Sequence, residues 1–502
     1  MAFHINGLNL TIEKVVQVAR GYEEAAIAPE AYEGMEKSRQ LVEKMVANDE
    51  VVYGITTGFG KFANVSISNG ELDQLQENLI LCNTAGVGNP FPEEVVRAMM
   101  LLRANSLVRG NSGIRPVIVE RLLEMLNKRV HPIVPEKGSV GASGDLAPLS
   151  HMVLVLLGKG EAYYEGQLMP GGAAMEKAGI EPVRLKAKEG LSLCNGTQAM
   201  AAIGALAVYD AINLSKIADI AGALSAEALE AIAAAFDPRI HEIRPHSGQI
   251  ETAQNLRKLL EGSEILKKAD HCKVQDAYTL RCMPQVHGAS KDAINYVKGV
   301  IETEINSVTD NPLVFPEEGE VLSGGNFHGQ PLALAMDFLG IAVSELANIS
   351  ERRTERLTNP ALSGGLPAFL TERGGINCGF MIAQYTAASL VSENKVLAHP
   401  ASVDSIPTSA SQEDHVSMGT IAARKARSIL ENAQNVLAIE ILCACQGIDF
   451  RKGKLAPRTA AAYEMLRKRV PKLENDRELY YDINETVKLI KEGKIVKVLE
   501  DY

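Results

Sequence analysis

A glycine-rich segment, GSVGASGDLAP at residues 138–148, offers the most unusual chemistry in this sequence. It lacks the Gly-x-x-x-x-Gly-Lys-Ser/Thr and Gly-x-Gly-x-x-Gly spacings, so it does not predict a phosphate-binding loop. Ser143 also lacks the second glycine of a Gly-x-Ser-x-Gly nucleophile elbow. Because Gly144 has no Cβ, its amide nitrogen can approach the Ala142 carbonyl closely. If this nitrogen attacked the carbonyl carbon and water were lost, including the Ser143 hydroxyl, a five-membered ring with an exocyclic methylene would form. That methylene is an electrophile.

The residues that follow this segment are typical of a helix start. Asp145 is the expected N-cap of a helix that continues through Leu146-Ala147-Pro148. The partial positive charge at a helix N-terminus would favour anionic character developing on the ring. An Ala-Ser-Gly tripeptide occurs by composition in roughly one protein in a few, so alone it is better explained as a helix-entry turn.

The overall composition favours a helical protein with a large core. The chain has 502 residues, of which 46% are hydrophobic and only 5% aromatic, with no Trp. Helices are predicted at residues 92–110 and 115–129. Longer, Ala- and Leu-rich stretches predict the helices of a central bundle; they run over residues 197–236, 287–307, 329–357 and 415–447. Their small apolar faces fit packing within one chain and packing between subunits about equally well.

Charge and cysteine usage exclude several classes of partner. Asp and Glu outnumber Lys and Arg by 62 to 51, a net charge of −11, which disfavours binding to nucleic acid or to anionic membranes. The N-terminus does not resemble a signal peptide, and charges interrupt the apolar stretches before the ~18 residues that span a bilayer. We therefore expect a cytoplasmic protein. Seven scattered cysteines without a Cys-x-x-Cys pair, and ten histidines without ligand spacing, predict neither disulfides nor a metal site.

The context of the glycine-rich segment carries a family resemblance. GSVGASGDLAPLSHM closely resembles the signature of the aromatic amino acid ammonia-lyases, whose Ala-Ser-Gly cyclises autocatalytically to 4-methylidene-imidazol-5-one (MIO). Further segments look like the histidine branch of that family and occur in the same order: YGITTGFGKF, LCNGTQAM, VQDAYTLRCMPQVHGA, TDNPLVF, SGGNFHGQPLALAMDFL, SELANISERRTERL and SENKVLAHPASVDSIPTSASQEDHVSMG.

The resemblance implies a fold, an assembly and a cofactor. The expected fold is mainly α, with a mixed N-terminal domain (residues 1–110) that carries a tyrosine loop. The second domain (residues 111–502) would be the MIO-bearing helical bundle with a charged C-terminal cap, an ammonia-lyase (fumarase/aspartase-like) architecture. The assembly would be a homotetramer whose active sites are shared among three subunits. MIO would be the only cofactor, with no diffusible one, and the partner would be a small-molecule amino acid substrate.

The resemblance also assigns residues, position by position. Ala142, Ser143 and Gly144 would form the MIO, and Asn195 would support the ring and its oxyanion. Tyr53 would be the catalytic base, although a phenol with a pKa of ~10 needs help to act near neutral pH. The remaining assignments are Tyr278 as a proton handler, Arg281 as the partner of the substrate carboxylate, and Gln275, Phe327 and Met381 as pocket residues.

Substrate choice depends on few positions. Glu413 matches a glutamate of the histidine branch where phenylalanine-directed members carry Gln, and a carboxylate there can accept a hydrogen bond from an imidazole N–H. Cys82-Asn83 stands where the histidine branch usually has Ser-His. Elimination of ammonia from L-histidine to give trans-urocanate is therefore the first hypothesis. A lyase or 2,3-aminomutase acting on a different amino acid is the second, and a non-catalytic paralogue without MIO is the third.

Overall fold

The computed structural model describes residues 2–271 and 273–500 and is mainly α, which confirms the predicted fold class. Its helices are α1 (Ile12–Ala19), α2 (Ala31–Ala47), α3 (Leu72–Asn83), α4 (Glu93–Leu107), α5 (Pro116–Asn127), α6 (Leu146–Leu156), α7 (Gly171–Lys177), α8 (Glu189–Cys194), α9 (Gln198–Ala228), α10 (Pro238–Glu242), α11 (Ser247–Leu260), α12 (Tyr278–Arg281), α13 (Met283–Glu304), α14 (Gln330–Thr358), α15 (Met381–Leu397), α16 (Gly419–Ile448), α17 (Pro457–Arg467) and α18 (Leu479–Lys491). The predicted long helices are present, with ends shifted by a few residues. The exception is the 197–236 stretch, where α9 ends at Ala228 and a short 3-10 helix covers Ala233–Phe236.

Short strands form small sheets between the helices. The strands are β1 (Phe3–Ile5), β2 (Ala25–Ile27), β3 (Val87–Pro90), β4 (His131–Pro132), β5 (Pro135–Lys137), β6 (Glu161–Tyr164), β7 (Gln167–Pro170), β8 (Leu313–Phe315) and β9 (Glu320–Leu322). β1 and β2 are parallel, with Phe3 opposite Ala25, whereas the β3–β5, β4–β6–β7 and β8–β9 pairings are antiparallel. Strands β1–β7 all lie within the first 170 residues of the chain, among helices α1–α6.

By internal packing the chain divides into two compact units. The first comprises Met1–Tyr209, Lys298–Asp337 and Pro400–Arg424, and the second comprises Asp210–Val297, Phe338–His399 and Lys425–Tyr502. The chain passes from one unit to the other within α9, α13, α14 and α16, and once more between His399 and Pro400. The predicted boundary at residue 110, between the N-terminal domain and the helical bundle, follows from the family resemblance and not from internal packing. It stays a prediction.

Two of the long helices are apolar enough to cross a membrane by length and composition alone, although the sequence led us to expect no such segment. They are α9 and α14, with mean hydropathies of 1.3 and 1.6 over 18 residues. Within the protein, 72% and 67% of these windows are buried. Burial of this extent is typical of core helices, which pass the same test.

A buried network of charged side chains joins the four long helices inside the second unit. Asp219 of α9 accepts hydrogen bonds from His287 Nδ1 and Lys291 Nζ of α13, at 2.8 and 2.6 Å. Arg353 of α14 pairs with Glu440 of α16, with 2.9 Å between Nη2 and Oε2. Arg353 Nη1 also lies 3.3 Å from His287 Nε2. Burial lowers the pKa of His287, so its neutral ring donates to Asp219 and accepts from Arg353.

This network should be a main determinant of stability in the second unit. Replacing Arg353 by Met leaves Glu440 buried without its partner, and loss of one member of a buried pair costs ~3–5 kcal/mol. We expect a large drop in the thermal unfolding midpoint of Arg353→Met. The matched control is Lys488→Met, because Lys488 pairs with Glu485 on the exposed side of α18, and exposed pairs contribute ~0–1 kcal/mol. Equal losses in the two variants would contradict the interpretation.

Candidate active site

Two loops, each directly preceding a helix of the first unit, meet at a pair of glycines. Gly144 precedes α6 and Gly196 precedes α9, and the two residues form a parallel β-bridge. The Asp145 N–H donates to the Gly196 carbonyl oxygen at 2.7 Å. Gly144 has a φ of +70°, and a Cβ built there would lie 2.1 Å from the Gly196 oxygen. Both the backbone conformation and the close approach therefore require glycine at position 144.

Asp145 connects this contact to two further helices. It is the N-cap residue of α6, as predicted, but its side chain makes no hydrogen bond to that helix. Instead Oδ2 accepts from the Met200 N–H in the first turn of α9 at 2.8 Å, and Oδ1 accepts from the hydroxyls of Ser139 and of Thr420 in the first turn of α16. Complete burial raises the pKa of Asp145, although these hydrogen bonds oppose the rise. Asp145 thus links the loop that contains Ser143 to the starts of α9 and α16.

A cavity of about 570 Å³ opens in front of these loops. Its lining residues are Tyr53, Gly58, Phe59, Gly60, Phe62, Val65, Ile67, Leu75, Asn78, Leu79, Cys82, Asn83, Ser143, Leu146, Leu191, Asn195, Ser409 and Glu413. The Ser143 hydroxyl donates to Glu413 Oε1 at 3.0 Å, and the Thr408 hydroxyl donates to Glu413 Oε2 at 2.7 Å. Asn195 Nδ2 donates to the Ser143 carbonyl oxygen at 3.3 Å, whereas Asn195 Oδ1 is buried without a partner among the described residues.

Tyr53 lies in this cavity with its hydroxyl largely removed from water. The hydroxyl oxygen accepts a hydrogen bond from the Gly60 N–H at 3.4 Å. Burial raises the pKa of Tyr53, the negative charge of Glu413 raises it further, and the Gly60 hydrogen bond opposes the rise. The free protein therefore holds Tyr53 as the neutral phenol at neutral pH.

The structure brings together six of the predicted site residues, and the others lie elsewhere. Those around the cavity are Tyr53, Cys82, Asn83, Ser143, Asn195 and Glu413. Ala142 and Gly144 flank Ser143 in the backbone, and Phe327 is a half-buried residue of the first unit outside the cavity lining. Gln275, Tyr278, Arg281 and Met381 belong to the second unit.

The loop around Tyr278 and Arg281 is ordered by its own contacts. Arg281 Nε donates to the Asp276 carbonyl oxygen at 3.0 Å, and the guanidinium stacks 4.6 Å from the centre of the Tyr278 ring. The two terminal nitrogens of Arg281 make no hydrogen bond to any residue of 2–271 or 273–500. Tyr278 is 70% exposed, so this pair presents a cation and a phenol to its surroundings.

Sequence reasoning missed several residues that shape the site. Ser417 donates to the Gly141 carbonyl oxygen at 3.2 Å, and Arg103 lies buried behind Asn195, donating to its carbonyl oxygen at 2.7 Å. Ser417 lies in a predicted helix start and carried no separate signal. Arg103 did carry one, because MMLLRANSL places a charge within an otherwise apolar helix face.

A family model for the aromatic amino acid lyases matches residues 10–468. The chain belongs to that family. It is accordingly a carbon–nitrogen lyase. As an aromatic amino acid lyase it has near full-length relatives: a histidine ammonia-lyase of Alkaliphilus oremlandii is 62% identical, covering 99% of this chain and 98% of the relative. A histidine ammonia-lyase of Caldanaerobacter subterraneus is 59% identical over the same shares of both chains.

Solved structures of the lyase family share the fold. The histidine ammonia-lyase of Trypanosoma cruzi is 45% identical, with a TM-score of 0.93, covering 100% of this chain and 95% of that one. A tyrosine aminomutase of Streptomyces globisporus is 38% identical, with a TM-score of 0.95, covering 99% and 98%. Both agree with the predicted ammonia-lyase architecture.

The glycine contact leads to a prediction about stability. Gly144→Ala must accommodate both a left-handed residue and a Cβ pressed against Gly196. Gly166→Ala is the matched control, because Gly166 has a similar φ of +76° but open space where a Cβ would lie. We expect about 1 kcal/mol of destabilisation for Gly166→Ala and an additional ~1–3 kcal/mol for Gly144→Ala, read from thermal unfolding. Equal effects would show that the close approach is unimportant.

Proposed function

We propose that this lyase eliminates ammonia from L-histidine to give trans-urocanate. The observation that carries the proposal is the grouping of Ser143, Asn195, Tyr53 and Glu413 around one cavity. Its relatives over nearly the whole length are named histidine ammonia-lyases, and the resemblance gives each of these four residues a role in that reaction. We also propose a cytoplasmic location, in keeping with the net charge of −11.

We infer that Ala142, Ser143 and Gly144 form the MIO group. Three observations support the fit: the left-handed backbone at Gly144, the Ser143 side chain at the cavity surface, and the unpartnered Asn195 Oδ1 beside the Ser143 carbonyl. When formed, the group supplies an electrophile that makes the substrate's amino group a better leaving group. The first turns of α6 and α9, which begin beside Ser143, provide partial positive charge for any anionic character there.

Tyr53 is the proposed base that removes the β-proton. It does so as the phenolate, and because its pKa is raised, only a small fraction of the free enzyme holds that form at neutral pH. The rate should therefore increase as the pH rises above neutrality.

Glu413 and Asn83 are the proposed partners of the imidazole ring. The Glu413 carboxylate accepts an imidazole N–H. Asn83 Nδ2 donates to the Leu79 carbonyl oxygen at 2.9 Å and Cys82 Sγ donates to the same oxygen at 3.3 Å, so the Cys82 thiol and one of the two Asn83 amide N–H groups are occupied within α3. Asn83 lines the cavity, and its amide, which can donate or accept a hydrogen bond, is the proposed partner of the ring in place of the usual histidine.

We propose that the site is completed by other subunits of a homotetramer. Among its described lining residues the cavity contains no Lys or Arg, yet an amino acid substrate carries a carboxylate. Arg281 is the proposed cation, with its terminal nitrogens open, alongside Tyr278, Gln275, Phe327 and Met381. Exposed apolar side chains on the second unit's helices, including Ile341, Ile382 and Tyr385, support burial of these faces in an assembly.

The activity itself is tested with L-histidine as the sole substrate. We expect growth of the urocanate absorbance with release of ammonia, and complete loss of both in Ser143→Ala, which keeps the fold but removes the hydroxyl. The control for folding is the circular dichroism spectrum of the variant. Unsaturated or β-amino acid products from another amino acid, with none from histidine, would instead support the second hypothesis suggested by Cys82-Asn83.

A second test separates the two roles of Glu413. Glu413→Gln removes the charge that raises the pKa of Tyr53, so the rising limb of kcat/KM should move to lower pH. At its new optimum kcat/KM for histidine should still fall by roughly 10- to 100-fold, because a hydrogen bond to a charged group contributes ~1.5–3 kcal/mol. Thr408→Val is the control: it removes a partner of Glu413 but keeps the charge, so the limb should stay in place. A limb shifted to higher pH in Glu413→Gln would overturn the assignment.

A further inference from the structure

A fully buried arginine lies directly behind the Asn195 loop. Arg103 projects from the middle of α4, and its Nη1 donates to the Asn195 carbonyl oxygen at 2.7 Å and to Gln198 Oε1 at 2.8 Å. Its Nε and Nη2 are buried without a hydrogen-bond partner among the described residues. A buried guanidinium with unsatisfied donors lowers the stability of the fold. The presence of Arg103 in a packed helix therefore needs an explanation.

The contacts of Arg103 hold the turn that contains Asn195. Gln198 Nε2 donates to the Thr309 hydroxyl at 2.8 Å, which closes the far side of the turn. A Cβ at Gly196 would lie 2.5 Å from Arg103 Nη1 and 2.4 Å from Gln198 Oε1. The backbone at Gly196 is therefore pressed directly onto this group of side chains.

The turn that contains Asn195 also fixes the position of the Ala142–Gly144 segment. The other side of Gly196 accepts the hydrogen bond from the Asp145 N–H at 2.7 Å, immediately after Gly144. Asn195 also donates to the Ser143 carbonyl oxygen. A displacement of the Asn195 turn away from Arg103 would thus break both hydrogen bonds that join the two loops.

The charge around Arg103 is also unbalanced. The carboxylate that interacts electrostatically with Arg103 is Asp310, which is already paired with Lys188 at 2.7 Å, and both of those side chains are completely buried. Two buried cations therefore share one carboxylate, which leaves positive charge beneath the Asn195 turn. Burial opposes the charge on both cations and lowers their pKa values.

We propose that Arg103 is a positioning residue for the lyase reaction: it fixes the Asn195 turn against the Ser143 segment and places uncompensated positive charge behind it. The inference rests on the proposed function of the site. Arg103 does not line the cavity and acts through Asn195. It should therefore affect the chemical step and the cyclisation of Ala142–Gly144 far more than the binding of substrate, which other residues perform.

The test compares three variants of the full-length, assembled enzyme. Arg103→Met should lower kcat by about 100-fold or more, because it releases the turn that holds Asn195, the proposed support of the oxyanion, while KM changes by no more than about 3-fold. The near-UV absorbance of the cyclised segment should be incomplete, with the intact mass showing unprocessed chain. Arg103→Lys, which keeps the charge, should recover at least about 10-fold in kcat. These changes would support the proposal.

Arg97→Met is the matched control. Arg97 lies on the same helix, is also buried, and donates to the backbone carbonyls of Val18, Ala19 and Leu126. It should lower the unfolding midpoint as much as Arg103→Met, yet leave kcat and the chromophore within about 3-fold of the wild type. If Arg103→Met matches Arg97→Met in kcat and chromophore, the proposal is overturned.

A second variant keeps the test decisive if Arg103→Met does not fold. Gln198→Glu retains the arginine but gives it a carboxylate partner, so kcat should fall at least about 10-fold; an unchanged kcat with complete cyclisation would overturn the proposal. The chromophore and the intact mass are read without substrate. If the wild-type enzyme is fully cyclised but inactive on histidine, the proposed function is contradicted. The role of Arg103 is then judged from the extent of cyclisation in its variants.

Discussion

The contact between the backbones of Gly144 and Gly196 is the constraint on which the rest of the site depends. A side chain at Gly144 would occupy the position of the Gly196 carbonyl, and one at Gly196 would occupy the position of the Arg103 guanidinium. The loop before α6 therefore packs directly on the loop before α9, and that loop packs directly on the buried arginine of α4. Ser143 and Asn195 reach the same cavity because their neighbours in sequence have no side chains.

Charge is distributed around this stack in an asymmetric way. Below it lie the cations Arg103 and Lys188 with a single carboxylate, Asp310. The carboxyl groups of Asp145 and Glu304 are also buried near these loops, and burial raises the pKa of each. Burial thus opposes the negative charge of both carboxyl groups, and the helix N-termini add partial positive charge. All three effects favour anionic character at the Ser143 and Asn195 loops.

The sequence predicts the parts of this arrangement that depend on local composition or on motif. The long helices follow from runs of Ala and Leu, and six cavity residues follow from segments that resemble a known family. Asp145 shows what sequence does not reveal. Local pattern makes it the cap of its own helix, but tertiary contacts turn its carboxyl group to the starts of α9 and α16, which lie 55 and 275 residues further along the chain. Arg103 is similar, because an arginine on an apolar helix face signals burial but not the partner that justifies it.

The chemistry of the cavity also favours an assembly, rather than a single chain, as the unit of catalysis. An amino acid substrate brings a carboxylate, and the cavity of the first unit offers it a carboxylate at Glu413 and no lysine or arginine among the described lining residues. Glu413 would repel that end of the substrate unless a cation lies opposite. Arg281, with a phenol stacked on one face and its terminal nitrogens open, has the charge and the planar donors that a carboxylate requires. If Arg281 comes from a neighbouring subunit, substrate binding requires assembly. The exposed apolar faces of the second unit would then be buried, and the active site completed, in the same assembled enzyme.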